Sequence, residues 1–187
     1  MLKILKATLS LEEFLTLPET KPASEYIQGK IIQKPMPQGK HSAIQMELGT
    51  TINTIVRPQK IARAFPELRC TFAGRSIVPD LAVFVWDRIP RDDNGAVANV
   101  FPWTPDWIIE ILSPEQSQTK VIKKILHSLN HGSQMGWLID PNEQTIFVYL
   151  PQQQPAFFED GLEILPLPDF MQESQLTVGD VFGCLWD

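Results

Sequence analysis

Two acidic residues interrupt stretches that otherwise read as strands for the middle of a sheet. Asp80 lies in "SIVPDLAVFVWD" (residues 76–87), and Glu110 lies in "DWIIEILSP" (residues 106–114) among Ile108, Ile109, Ile111 and Leu112. An ionised carboxylate beside a sheet core is costly unless it is hydrogen-bonded, paired or bound to a metal. Two carboxylates that converge on a hard divalent cation offset their mutual repulsion and their desolvation together. Lys124, 14 residues beyond Glu110, sits on the following helix, from where an ammonium could reach the same sheet end to orient a water or balance developing negative charge. Glu25, near the N-terminus, could add a third acid. Each residue also has a plainer reading. Proline cannot donate to a strand ladder, so Pro79 marks a strand start, an edge or a bulge, and Asp80 could be a strand entry exposed to water. A lone lysine on a helix is commonly solvated, and Glu25 taken alone is a surface residue. Pro-Asp recurs at 105–106 and 168–169, so the dipeptide does not discriminate.

The elements that must position these residues follow from capping, periodicity and breakers. Ser10 and Glu13 have the spacing of a capping box, which predicts a short helix ending before Pro18. "EYIQGKIIQK" (residues 25–34) reads as a hairpin turning at Gln28-Gly29, with Glu25 at the start of its first strand. Ile44, Met46, Leu48, Ile52 and Ile55 recur at helical intervals from His41 to about Val56, where Pro58 closes the segment. Three strands are expected next, Arg69–Phe72, Ile77–Trp86 and Trp107–Leu112, with a long loop rich in Pro, Gly, Asp and Asn between the last two. A helix begins between residues 115 and 119, with Val121, Ile122, Ile125, Leu126 and Leu129 on one face and a row of Lys120, Lys124, His127 and His131 on the other. "MGWLID", "TIFVYL" and "LEIL" read as strands, and "TVGDVFGCL" as a terminal short helix. Strands that follow one another without helices pair antiparallel, while the helix crossover before "MGWLID" allows one parallel pairing.

With 187 residues, 43% hydrophobic and 20% charged, the chain suits one globular domain. No apolar run approaches the ~20 residues of a membrane span, and the N-terminal segment turns acidic too soon for a signal peptide, so a cytoplasmic protein is expected. Cys70 and Cys184 lack metal or redox spacing and read as buried free thiols. The net charge is −6, unevenly spread: all 16 Lys and Arg lie at or before Lys124 against 13 acids, and nine acids follow with no base. A basic front is compatible with a local anion-binding face and equally with a solvated surface.

"VPDLAVF", "IIEILSP", the lysine-bearing "KVIKKIL" and "GWLIDP" together resemble the Uma-two family of endonucleases in the PD-(D/E)XK nuclease superfamily, over most of the chain from "EYIQGKIIQKPMPQGKH" to "TIFVYL". The resemblance implies a single α/β domain over residues 1–187. Its restriction-endonuclease-like core is helix, three strands, helix, strand, with a mixed sheet, an added N-terminal hairpin and added C-terminal strands. It implies Asp80 as the acid of the PD motif and Glu110 as the acid followed by Ser113. Leu112 occupies the position two beyond the acid, where the superfamily lysine usually stands, and Lys124 is the relocated lysine. Glu25 and His41 match the family's N-terminal glutamate and helix-opening histidine. Lys120 and Ser128 depart from the family's aspartate and tyrosine, which bears on how Lys124 is held.

The activity implied is Mg²⁺-dependent hydrolysis of DNA, with Mn²⁺ as a possible substitute. Asp80, Glu110 and the main-chain carbonyl of Ile111 would hold the metal, Lys124 would position water or meet transition-state charge, and Glu25 would ligate or orient water. His41 would support the helix start; with three histidines in the chain, none paired near the acids, a transition-metal site is not expected. DNA is the expected partner, a homodimer is possible and no membrane is involved. Two other readings stay open: a catalytically inactive nuclease-fold protein that binds nucleic acid or protein, and a structural subunit using the "FPWTPDW" loop, with Trp103 and Trp107, as an oligomer surface.

Overall fold

The structure is a computed structural model and describes residues 9–114 and 116–186. Helix α1 (Leu11–Leu15) starts at the capping box, with Ser10 and Glu13 satisfying each other's backbone N–H. Strands β1 (Ser24–Ile27) and β2 (Lys30–Gln33) form the hairpin. Gln28 and Gly29 both have positive φ (51° and 77°), the two-residue turn whose twist matches that of its flanking strands. Helix α2 (Gly39–Val56) follows, then β3 (Ala62–Pro66), β4 (Cys70–Phe72), β5 (Arg75–Ile77), β6 (Leu81–Val85) and β7 (Trp107–Ile111). Helix α3 (Gln118–Leu129), β8 (Met135–Asp140), β9 (Thr145–Tyr149), β10 (Ala156–Phe158) and α4 (Val178–Phe182) complete the order.

The strands make two sheets. The larger, in the order β10-β9-β8-β7-β6-β3, is antiparallel except for the β7–β8 pair, which the α3 crossover makes parallel. The smaller is antiparallel, in the order β2-β1-β5-β4. The core is therefore α2, then β3, β6 and β7, then α3 and β8. This is the expected class of helix, three strands, helix, strand, with a different first strand. Arg69–Phe72 contributes β4 to the small sheet instead, and the first core strand is Ala62–Pro66. Its small alanines, Arg63 and terminal Pro66 give little apolar signal, because an edge strand buries only one side and tolerates proline.

The expected strand Ile77–Trp86 is two strands in two sheets. Val78-Pro79-Asp80 joins them, since Pro79 offers no ladder N–H and the chain changes direction there. "LEIL" is not a strand; Ile164 makes an isolated bridge to Thr177, and the last strand is β10.

Side-chain parity divides the core. Leu81, Val83, Trp107, Ile109, Met135 and Trp137 face α2 through Ile44, Leu48, Ile52 and Val56. Ala82, Phe84, Ile108 and Leu138 face α3 through Val121, Ile125 and Leu129. Each such fully buried aliphatic side chain contributes about 1.5–3 kcal/mol. Trp107 is wholly buried against Trp137, so it cannot form an oligomer surface. Gly136 on β8 allows α3 to come down on the sheet: a Cβ there would collide with the Ile125 side chain. Lys124 precedes Ile125 and is drawn into the buried stripe of α3, which corrects its expected place in an outward basic row; Leu126 instead faces solvent.

Candidate active site

The antiparallel register sets Leu81 opposite Ile109, so Asp80, one residue before β6, is level with Glu110 on β7. The Ile111 backbone N–H donates to Asp80 Oδ2 at 2.7 Å, which ties the two strand ends together. Glu110 shares the parity of Ile108 and faces α3, where Lys124 Nζ lies 2.9 Å from Glu110 Oε2. The same ammonium donates to Glu25 Oε1 at 2.8 Å, and that oxygen also accepts the Val78 N–H at 2.8 Å. Glu25 thus joins the small sheet to α3 and to the link between β5 and β6. Asp80, Glu110 and Lys124 are 2%, 1% and 4% exposed and Glu25 is 6%. The four side chains form one buried charge cluster, which removes the solvent-exposed reading of Asp80.

Burying charge costs several kcal/mol per ion unless partners are supplied, and the two central acids are supplied very unequally. Asp80 has Lys34 Nζ at 2.8 Å and His41 Nε2 at 3.2 Å from Oδ1, besides the Ile111 N–H. Burial opposes its ionisation, but Lys34, His41 and Lys124 outweigh burial and hold the carboxyl well below the ordinary range. Glu110 Oε2 has the Lys124 ammonium, yet among the described residues Oε1 has no hydrogen-bond partner. Burial dominates there, reinforced by the negative charge of Asp80, and pushes Glu110 up to about 8. Lys124 is held above the ordinary lysine range: burial works against its charge, and Glu110, Glu25 and Asp80 overcome it. Neighbouring carboxylates driven apart in acidity in this way mark a division of roles.

Three of the residues gathered here carry no sequence signal of their own. Lys34, just after β2, is buried against Asp80. Glu67 and Gln45 stand behind it, with Gln45 Nε2 donating to Asp80 O at 2.8 Å and to Glu67 Oε1 at 3.2 Å. His41 lies in the first turn of α2; the N-cap is Gln38, and the imidazole reaches Asp80. Cavities of about 430 and 350 Å³ open on either side. Asp80, His41 and Ser113 line the first, Glu25, Lys120 and Lys124 the second, and Lys34 and Gln116 line both.

A hard cation prefers carboxylate and carbonyl oxygens. Glu110 fits that preference: among the described residues its buried Oε1 has no hydrogen-bond partner and Oε2 has the Lys124 ammonium, beside a second carboxylate on Asp80. Among the described residues no three His, Cys, Asp or Glu side chains form a ready cage, so a metal here would draw on main-chain oxygen and water as well.

A mixed sheet clasped by one helix on each face, with two acids at adjoining strand ends and a lysine over them, defines a protein of the restriction-endonuclease-like class. The chain belongs to the Uma2 family, described as "Putative restriction endonuclease", whose family model matches residues 11–179. A crystal structure from Anabaena variabilis, described as "a putative nuclease belonging to DUF820", is 64% identical with a TM-score of 0.92, covering 94% of this chain and 98% of that one. A DrdV–DNA complex is far more remote, at 10% identity and a TM-score of 0.33 over 76% of this chain and 13% of that one, and has no bearing on fold or function. No curated protein matches the chain.

Proposed function

We propose that this protein is an endonuclease that hydrolyses DNA phosphodiester bonds with Mg²⁺. The observation that carries the reading is the buried Glu110 carboxylate, whose Oε1 has no hydrogen-bond partner among the described residues and which lies beside Asp80 and under Lys124. Asp80, Glu110 and the Ile111 main-chain carbonyl would hold the ion. When bound, Mg²⁺, or Mn²⁺ in its place, supplies Lewis acidity and an acidified water. The chain's own groups do the positioning. An ammonium has three N–H donors, and Lys124 directs its contacts to two oxygens, Glu25 Oε1 and Glu110 Oε2. Among the described residues the third donor has no partner, and Lys124 lines a cavity with Lys120, where that donor can orient water or meet charge on a phosphate. Glu25 keeps that ammonium in place.

A second reading, a nuclease-fold protein that binds nucleic acid or protein without cleaving, is favoured by one observation: both Asp80 oxygens already have partners within the chain. Nicking of supercoiled plasmid by purified protein separates the two. Wild type should cleave with Mg²⁺ and not with EDTA, and Asp80→Ala or Lys124→Met should lose about a hundredfold or more. Undiminished Mg²⁺-dependent cleavage by Asp80→Ala would refute the assignment, whereas DNA binding without cleavage by wild type would establish the second reading.

A further inference from the structure

Lys34 differs from Lys124 in how its donors are used. Its side chain is 8% exposed, and its ammonium contacts four oxygens of three groups. Asp80 Oδ1 lies at 2.8 Å, the Val78 carbonyl at 2.9 Å and both oxygens of Glu67 at 2.9 Å. Three donors meet three acceptor groups, so no N–H is left for a substrate. The surrounding groups come from separate segments; Asp80 is buried, while the Glu67 side chain is partly exposed and held by its contacts. Gln45 of α2 holds Glu67 Oε1 and the Asp80 carbonyl. The Glu67 N–H donates to that same carbonyl at 3.2 Å. Glu67 also has a positive φ of 47°, a conformation a non-glycine residue keeps only where its surroundings enforce it.

Two carboxylates and a main-chain carbonyl are the donor set of a hard divalent cation. Asp80 belongs both to this set and to the pair it forms with Glu110, and a shared acid of this kind typically bridges two metal ions about 3.5–4 Å apart. We propose that Lys34 is a built-in cation: its ammonium fills an all-oxygen site of Asp80, Glu67 and the Val78 carbonyl that would otherwise take a second divalent ion. The protein therefore works with a single exchangeable metal. This rests on the reading that Asp80 and Glu110 hold the first ion, and the two can fail separately.

Mn²⁺ titration followed by calorimetry and by the electron paramagnetic resonance of free Mn²⁺ tests it without reference to activity. Wild type and Lys34→Arg should take up one equivalent, Lys34→Ala two, and Lys34→Ala/Glu67→Gln one again. A wild type that binds two equivalents, or a Lys34→Ala variant that gains none, overturns the proposal. Should wild type bind none while Lys34→Ala gains one, the oxygen cage stands and the Mg²⁺ reading of Asp80 and Glu110 fails. If removal of Lys34 unfolds the protein, Mn²⁺ must restore its far-ultraviolet circular dichroism; a variant that stays unfolded at saturating Mn²⁺ refutes the cage.

Discussion

Glu110 makes the metal-free protein less stable as the solution becomes more alkaline, and Glu110→Gln should abolish that loss. An acid whose folded pKa is raised binds more protons folded than unfolded between the two values, so stability falls as pH climbs through that window. For Glu110 the window runs from 4.5 to about 8, with burial as the main cause. At about 1.4 kcal/mol per pKa unit, a rise of that size corresponds to a ceiling near ~5 kcal/mol. Water entry and local relaxation around a buried ion reduce this to about 2–4 kcal/mol. Urea unfolding in EDTA at about pH 5 and about pH 9 reads the difference directly. Wild type should lose about 2–4 kcal/mol between those conditions beyond the change shown by Glu110→Gln, and Mg²⁺ added at the higher pH should recover part of it by binding the ionised form. If the two proteins have the same slope with pH, Glu110 is not the buried acid that its surroundings imply, and the case for a metal beside it loses its main support.

Two smaller predictions concern the frame of the site. Gly136→Ala should destabilise by about 1–3 kcal/mol, because the new Cβ collides with Ile125 and lifts α3 off β8; an unchanged urea midpoint would contradict that packing. Cys70 is fully buried and burial pushes its thiol up to about 12, so the native protein should titrate at most one of its two cysteines with a chromogenic disulfide and both in urea. Rapid labelling of Cys70 in the native state would contradict its burial.

The signals that carried through from sequence to structure are local ones. The capping box at Ser10, the Gln28-Gly29 turn, the helix running to Val56 and the strands "MGWLID" and "TIFVYL" all lie where periodicity and turn chemistry set them. What failed was also local in origin. β3 is too weakly apolar to announce itself, and the run around Pro79 reads as one strand because a change of sheet leaves the strand pattern intact on both sides.

Asp80 and Glu110 were visible from the residues alone, since an acid inside an apolar strand violates burial chemistry and demands a reason. Lys124 was visible as a candidate, but helical spacing put it on the wrong face; its burial depends on Gly136 and on acids from two other elements. The contacts that decide the site span far greater distances along the chain: Glu25 to Lys124 across 99 positions and Lys34 to Asp80 across 46. Spacing describes only what the backbone places within a turn or a strand. The sequence by itself therefore determined which acids must be explained and the class of fold that holds them. Only the tertiary structure decided which lysine, among the described residues, keeps a donor without a partner and which gives its donors to two carboxylates and a carbonyl, because that depends on where two sheets and two helices meet.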